Sequence, residues 1–439
     1  MSYLNGVSLL GLVLLVAFAW ALSADRRSVS WRVVAWALVL QAALGLFIFQ
    51  VPLGGRLFAA VNHGVEAVLR AASAGAYFVF GPLAVPPGTT GPGGESSPGF
   101  ILAFQAFPTI IFFSALMSVL YFLNLMPRLI RAFARLFARS MSVSGAESLC
   151  AASNIFVGVE SMLTVRPYLE RMTPSELCTV LAAGMATVAS NVLGFYVLCL
   201  RGQFPGIAGH LVSASLLSAP AAVAMAKVLL PESGKPETLG VDAAPYVERE
   251  DNVFGAVITG ANAGLKLVGG IVALLVAVLG LVGVANAALA AGGAWVNART
   301  GWSVDWSIQS ALTLAFYPFA WALGVTPADV PAVARLVGER VILTEVPAYR
   351  ELATLIETGA LADPRRSAVL ATYALCGFAH VASLGIFVGG AAALAPSRAT
   401  ELARVAPRAL LAATLACLMT GCIAGAFYTP ASWSLLVGR

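Results

Sequence analysis

Two carboxylates stand in apolar surroundings, where an acid is expensive to place. Glu160 lies in NIFVGVESML, two residues after Gly158, and Glu345 lies in RVILTEVPAY, two residues before Pro347. A charged side chain at the centre of a bilayer costs roughly 2.5–3.5 kcal/mol on insertion scales, so an acid kept there marks function. The neighbouring Gly and Pro break helices, which makes both sites hairpin tips where loose backbone lines a cavity. A carboxylate in such a place accepts two hydrogen bonds from a polar solute or holds a cation. The competing reading is a structural pair with Arg166, Arg340 or Arg350.

A second group of candidates lies in a repeated phrase. GMATVAS (184–190) and GFAHVAS (377–383) agree at five of seven positions, 193 residues apart. The small residues predict that helices open around Thr187-Val188 and His380-Val381, freeing carbonyls for an ion or a solute. Asn154 and Thr187 add hard oxygen of the kind Na⁺ takes. His380, inside an apolar segment, is a further candidate, whereas His63 and His210 read as loop or interfacial residues. Lys227 and Lys266 lie near segment ends and read as anchors whose ammonium reaches the surface. The six cysteines show no metal-ligand spacing and read as reduced, buried thiols. A membrane-embedded enzyme would want a nucleophile–base pair or a metal cluster. The chain has no His-x-x-x-His, no Gly-x-Ser-x-Gly and no phosphate-cradling loop.

The elements that position these residues are helices in lipid. Of 439 residues 59% are hydrophobic and 11% charged, against about 25% charged in a soluble domain. Apolar runs recur at 4–22, 32–52, 101–126, 174–200, 206–230, 264–292, 367–395 and 405–430, each near or above the roughly 20 residues that cross a bilayer. No ten-residue alternation suggests a β-barrel. Ala21-Leu22-Ser23-Ala24 looks loosely like a signal cleavage site, but no Lys or Arg precedes the first run. Arg26 and Arg27 follow it, which predicts a retained span with those arginines in the cytoplasm. The net charge of +5 then reflects membrane orientation, not nucleic-acid binding.

Between the runs the chain reads in two matching halves. Residues 54–84 are interrupted by Asn62-His63-Gly64 and read as interfacial, and 85–99 read as an external loop without Lys or Arg. RLIRAFARLFAR (128–139) sets four arginines near one helical face, with Leu129, Phe133 and Phe137 on another: a cytoplasmic interfacial helix. Residues 143–172 read as a re-entrant hairpin, followed by two spans and a hydrophilic linker at 231–251. The second half repeats the order with 264–292, the amphipathic 305–324, the interrupted 334–355 and two more spans. An odd number of crossings per half predicts inverted repeats, a transporter signature. The predicted divisions are 1–100 (N-terminal scaffold spans and external loop), 101–126 (scaffold span) and 127–230 (first repeat). They continue with 231–263 (cytoplasmic linker and interfacial helix), 264–304 (scaffold span) and 305–439 (second repeat). The fold class is therefore an all-α polytopic membrane protein of about eight transmembrane helices.

These residues resemble the concentrative nucleoside transporter family. The stretches that carry the resemblance are FPTIIFFSALMSVLYFLNLM (107–126), SGAESLCAASNIFVG (144–158), GMATVAS, ILTEVPAY (342–349) and ATYALCGFAHVASLGIFVGG (371–390). Together they cover roughly 101–430. The resemblance implies a homotrimer of eight-span protomers with two hairpins in each, in which an ion gradient drives nucleosides across a bacterial inner membrane. Residue by residue, it implies a sodium site at Asn154, the Val157 carbonyl, Thr187 and the Val188 carbonyl. Glu345 falls on the ribose-binding acid, Phe378 on a pocket aromatic, Ser383 on a ribose-contacting hydroxyl and Val192 on an apolar wall beside the base.

Two departures stand out. The family's first tip reads close to Gly-Gln-Thr-Glu-Ala-Pro, whereas here it is Gly158-Val159-Glu160-Ser161-Met162. It is one residue shorter, with Val159 and Glu160 left to face the substrate. The family's ribose-binding Asn becomes His380, and its tip Asn becomes Thr344. Sugar recognition is expected to be kept and base recognition altered. The expected function is sodium-coupled secondary active uptake of nucleosides by alternating access, with lipid and nucleoside as partners and no organic cofactor. The alternative is a proton-coupled symporter of another polar solute using Glu160 and His380.

Overall fold

The computed structural model describes residues 2–158, 160–200, 202–204, 206–247 and 250–431, with only the backbone of Asn191. Helices dominate, and among the described residues the one β feature is an isolated bridge between Thr90 and Ser96. The first apolar runs are α1 (Tyr3–Ala21) and α2 (Trp31–Gln50), and α3 (Pro52–Phe80) follows after Val51 alone. Next come α4 (Leu102–Gln105), α5 (Phe107–Phe122) and the arginine-bearing α6 (Leu125–Met141). Hairpin 1 is α7 (Gly145–Asn154) and the short α8 (Ser161–Thr164). The span after it is split into α9 (Pro174–Ala186) and α10 (Ser190–Leu200), and α11 (Ile207–Leu229) closes the first half.

The second half follows the same order. It comprises α12 (Val253–Thr300), α13 (Ile308–Ala322), hairpin 2 as α14 (Val330–Leu343) and α15 (Glu345–Glu357), the split α16 (Pro364–Leu375) and α17 (Val381–Leu394), and α18 (Ala399–Phe427). Seven helices among the described residues are long and apolar enough to cross a membrane. The split pairs account for the apolar runs 174–200 and 367–395. At the centre, α11 and α18 are almost wholly buried and pack on each other and on α9 and α16. Outside them α5 lies along α12, whose surface is mostly outward-facing. At 48 residues α12 is about 72 Å long, more than twice the hydrocarbon core of a bilayer.

Capping fastens each hairpin at its base and leaves its tip for chemistry. Ser144 and Glu147 form a capping box at the start of α7, and Thr173 and Glu176 form one at the start of α9. The Ser144 hydroxyl also donates to Glu176 at 2.6 Å, tying the two starts together. At the base of hairpin 2, Asp329 accepts from the amides of Ala362 and Asp363 and from the Ser367 hydroxyl at 2.6–3.0 Å. In both halves a carboxylate–serine bond joins the hairpin to the helix that follows it.

Five local expectations need correction. The Asn62-His63-Gly64 stretch does not interrupt α3, because Asn62 bonds Glu66 one turn on (2.8 Å) and accepts from the Gly209 amide (3.2 Å). Being 29 residues long, α3 is also long enough to cross. No separate interfacial helix precedes residue 264, since the helix that begins at Val253 runs unbroken to Thr300. The buried stripe of α6 is Ile130, Ala134, Phe137 and Met141, and Leu129 is exposed. His210 is neither loop nor interface: it is fully buried in α11 among Phe49, Phe58, Phe204 and Tyr373.

Lys227 does not reach the surface either. Its Nζ lies 2.6 Å from Glu147 and 3.1 Å from Glu232, and donates to the Ser175 hydroxyl at 3.0 Å. Removing one partner of a buried ion pair strands the other charge and costs about 3–5 kcal/mol. Lys227→Met is therefore expected to lower the thermal unfolding midpoint of the detergent-solubilised protein by more than about 5 °C. An unchanged midpoint would show that the pair contributes no net stability.

Candidate functional site

Both copies of the repeated phrase break a helix. Thr187 is the C-cap of α9, with extended dihedrals (φ −112°, ψ 159°), and its hydroxyl donates to the Ala183 carbonyl at 3.1 Å. In the second copy the break runs from Cys376 to His380, and His380 caps α17. The leading glycines are there because the breaks are crossed at close range. A Cβ on Gly377 would sit 2.3 Å from the Cys417 sulfur and 2.8–2.9 Å from the Met185 and Ala186 carbonyls, and one on Gly184 would meet the Phe387 ring at 2.2 Å.

Hairpin 1 folds its tip onto the first break. The Ser190 hydroxyl donates to the Phe156 carbonyl, and a Cβ on Gly158 would lie 2.8 Å from the Ala189 methyl. Asn154 is the last residue of α7. Its Nδ2 donates to the Cys150 carbonyl (3.0 Å), and its Oδ1 accepts from Ser161 (2.8 Å). Ser215 of α11 accepts from the Val188 amide (3.0 Å) and donates to the Val188 carbonyl (3.2 Å).

This donor set fits a sodium ion. The Thr187 hydroxyl spends its proton on Ala183, so its lone pairs are free, and Asn154 Oδ1 keeps one lone pair beyond Ser161. Asn154 and Thr187 also close the C-terminal ends of α7 and α9, where the helix dipoles favour a cation.

Hairpin 2 turns through Thr344 at φ 89°, ψ 169°. A β-branched residue in this region is strained by about 1–3 kcal/mol, strain of the kind that collects at binding sites. The turn sets Glu345 as the first residue of α15, where the positive end of the helix favours its charge. Tyr196 of α10 donates to Glu345 Oε1 at 2.5 Å. On the other side, His380 Nε2 stands 3.3 Å from Glu345 Oε2. Because His380 Nδ1 accepts from the Ser383 amide (3.1 Å), the neutral ring carries its proton on Nε2, facing the carboxylate. Neither atom has a hydrogen-bond partner among the described residues.

The acids border two adjoining spaces with a shared wall. Glu345, Thr344 and Tyr196 line one of ≈ 20 Å³, and Glu160 and Thr187 line another of ≈ 30 Å³, with Val192 and Phe378 in both. Each has room for about one water molecule, so a larger solute requires the tips to part. A cleft of ≈ 210 Å³ reaches Glu160 from outside, between α5, Tyr246 of the linker and Gly260 of α12.

The structure therefore sets Thr344 and Glu345 on one side of a wall made by Val192 and Phe378 and Glu160 on the other, with His380 against Glu345. Asn154 and Val157 lie in hairpin 1, and Thr187 and Val188 at the first break, beside which the hairpin tip packs. Val159 lies outside the described residues. Ser383 does not line the spaces: its hydroxyl donates to the His380 carbonyl at 2.6 Å, completing the cap. Among the described residues Glu345 makes no pair with an arginine, the competing reading: Arg350 lies over the Phe100 ring and Arg340 donates to the Ala374 carbonyl. Sequence reasoning passed over Tyr196, Ser161 and Ser215. The first two had a signal, as a hydroxyl in an apolar half-helix and the residue next to a tip acid.

The cap makes a prediction for His380. Asparagine is a good N-cap and carries both an acceptor for the Ser383 amide and a donor for Glu345. His380→Asn is expected to keep the fold and hold the half-saturating substrate concentration within about threefold. His380→Ala loses cap and donor together and is expected to raise that concentration about tenfold or more. Uptake kinetics on the two variants check this, and equal behaviour of the two would remove His380 from the site.

Comparison with known proteins finds relatives along nearly the whole chain. Models of the Na⁺ dependent nucleoside transporter C-terminus and N-terminus match residues 210–425 and 10–83, and a nucleoside-recognition model, Gate, matches 103–202. Solute carrier family 28 member 3 of Mus musculus is 38% identical over 435 residues, covering 96% of this chain and 58% of that protein. The chain thus spans little more than half the length of that relative. An uncharacterized transporter of Haemophilus influenzae is 36% identical over 426 residues, covering 96% of this chain and 97% of that protein. Among solved structures, CNTnw in an inward-facing substrate-bound state matches with a TM-score of 0.85 at 33% identity, covering 97% of this chain and 98% of that one.

Proposed function

The chain belongs to the concentrative nucleoside transporter family, and from that premise we propose that it carries nucleosides inward by alternating access, driven by sodium. The carrying observation is the arrangement at Glu345. Glu345 Oε2 and His380 Nε2 stand 3.3 Å apart, and neither has a hydrogen-bond partner among the described residues. A sugar hydroxyl that approaches this pair can donate to the carboxylate and accept from the imidazole N–H. Phe378 and Val192 supply the apolar wall for a base, and Glu160 closes the opposite side.

Sodium binds at Asn154, the Val157 carbonyl, Thr187 and the Val188 carbonyl. Filling that site fastens the tip of hairpin 1 to the first helix break, which pre-shapes the wall that Thr187 and Glu160 share. Cation and nucleoside thereby favour each other's binding. The sub-nucleoside size of both spaces supports a cycle in which the tips part and close. The arginines of α6 place the linker side of the molecule in the cytoplasm, so the cleft at Glu160 is the inner path. The protein works as a homotrimer in a bacterial inner membrane, with the outward apolar faces of α12 against lipid and neighbouring protomers.

Radiolabelled uridine and adenosine uptake into proteoliposomes tests the proposal. An inward sodium gradient is expected to drive accumulation, and a proton gradient alone is not. Uptake that follows the proton gradient and ignores sodium would overturn sodium coupling. The absence of uptake of any nucleoside would overturn the cargo.

A further inference from the structure

The outward face of α6 combines two rows of side chains. The helix carries Arg128, Arg131, Arg135 and Arg139 and no acid. Its buried stripe faces the protein, leaving Leu125, Leu129 and Leu136 38–48% exposed. Arg128, Arg135 and Arg139 are exposed as well. Arg135 pairs with Asp242 of the linker at 2.8 Å, whereas Arg128 and Arg139 form no ion pair among the described residues.

The helix orders these groups by depth. At about 100° per residue, Arg128, Arg135 and Arg139 form one row, and Leu125, Leu129 and Leu136 form the next. On the other flank of the arginine row is Arg131, which borders an open vestibule of ≈ 490 Å³ with Asn124, Pro245 and Glu250. Passing round the helix, one meets the vestibule, the arginines, the leucines and then the protein core. Water, phosphates and acyl chains follow one another in the same order across a leaflet.

This face is joined to the substrate site. The stripe opposite it packs along α7. The Phe133 ring of α6 lies 5.8 Å from that of Phe156 in hairpin 1, and the Phe156 carbonyl accepts from Ser190 at the first break. Asp242, held by Arg135, belongs to the linker that goes on to border the vestibule with Ala244 and Val247. The seat of α6 in the leaflet therefore sets where hairpin 1 and the inner mouth stand.

We propose that the arginine and leucine rows of α6 bind anionic phospholipids of the cytoplasmic leaflet, whose phosphates hold hairpin 1 in position for transport. A guanidinium takes a phosphate through two parallel N–H···O bonds, and the leucines lie where acyl chains begin. A zwitterionic headgroup carries its own cation beside the phosphate, so net charge separates the two kinds of lipid. The link to transport rests on the reading above, but lipid binding is measured without any nucleoside.

The test titrates detergent-solubilised protein with dioleoylphosphatidylglycerol or dioleoylphosphatidylcholine. Phosphatidylglycerol is expected to raise the thermal unfolding midpoint about 3 °C or more above the phosphatidylcholine value. The double variant Arg128→Gln/Arg139→Gln is expected to lose that difference, and Arg128→Lys/Arg139→Lys to keep most of it. Soluble glycerol phosphate, which has no acyl chain, is expected to give no rise. In proteoliposomes containing about one part in four phosphatidylglycerol, wild-type uridine uptake is expected to run about fivefold faster than in phosphatidylcholine alone. The double Gln variant is expected to show no such gain.

Equal midpoints with the two lipids would overturn the site, as would a full rise in the double Gln variant. A rise with glycerol phosphate would make this a free-anion site and overturn the lipid assignment. Equal, measurable uptake in the two kinds of vesicle would overturn the link to hairpin 1. Lipid-specific stabilisation without uptake of any nucleoside would count against the nucleoside cargo and leave the lipid surface standing.

Discussion

Glu345→Gln is expected to cut sodium-driven nucleoside uptake about a hundredfold or more. Hydrogen bonds to a charged acceptor contribute about 1.5–3 kcal/mol each, and the carboxylate can take two from a sugar. An amide keeps one acceptor oxygen and turns the other position into a donor, which repels a hydroxyl held there by His380. The fold is expected to survive, because the Tyr196 hydroxyl, 2.5 Å from Oε1, can donate to the amide oxygen as it does to the carboxylate. The check is uptake into proteoliposomes, paired with size-exclusion chromatography of the same preparation. Near-normal transport by a well-folded variant would remove Glu345 from the substrate site.

The second large effect falls on the ion. Asn154→Ala and Thr187→Ala each remove one oxygen from the sodium site, and each is expected to raise half-saturating sodium about tenfold, or about 1.4 kcal/mol. The loss should be specific. At saturating sodium the half-saturating nucleoside concentration should move much less, because neither side chain touches the space at Glu345. Asn154→Ala should be the more damaging, since it also leaves the Ser161 hydroxyl, which donates to Asn154 at 2.8 Å, without its acceptor. Sodium titrations of uptake on both variants decide the matter. Unchanged sodium dependence in both would place the coupling ion elsewhere.

Much of this site is legible in the sequence because its signals are local. An acid beside Gly158 or Pro347 in an apolar stretch announces a tip, and a small-residue phrase within a span announces a break. In the structure α9 stops at Ala186 and α16 at Leu375, and a turn at Thr344 separates α14 from α15. The misreadings came from polar residues judged by position alone. Lys227 and His210 lie near the ends of an apolar run, where an anchor or interfacial role is ordinary. Their true settings depend on Glu147, 80 residues before the lysine, and on Tyr373, 163 residues after the histidine.

The sequence by itself determined the solvent, the two matching halves, the broken helices and the acids at the tips. Composition, run length and small-residue spacing act over one or two turns of chain and need no partner to be read. Only the tertiary structure decided which polar groups answer each other: Tyr196 for Glu345 across 149 residues, Ser215 for Val188, and a lone carbonyl for Arg340. The reason is that a buried polar atom must find its partner wherever the fold brings one, and that meeting depends on how helices distant in the chain pack together.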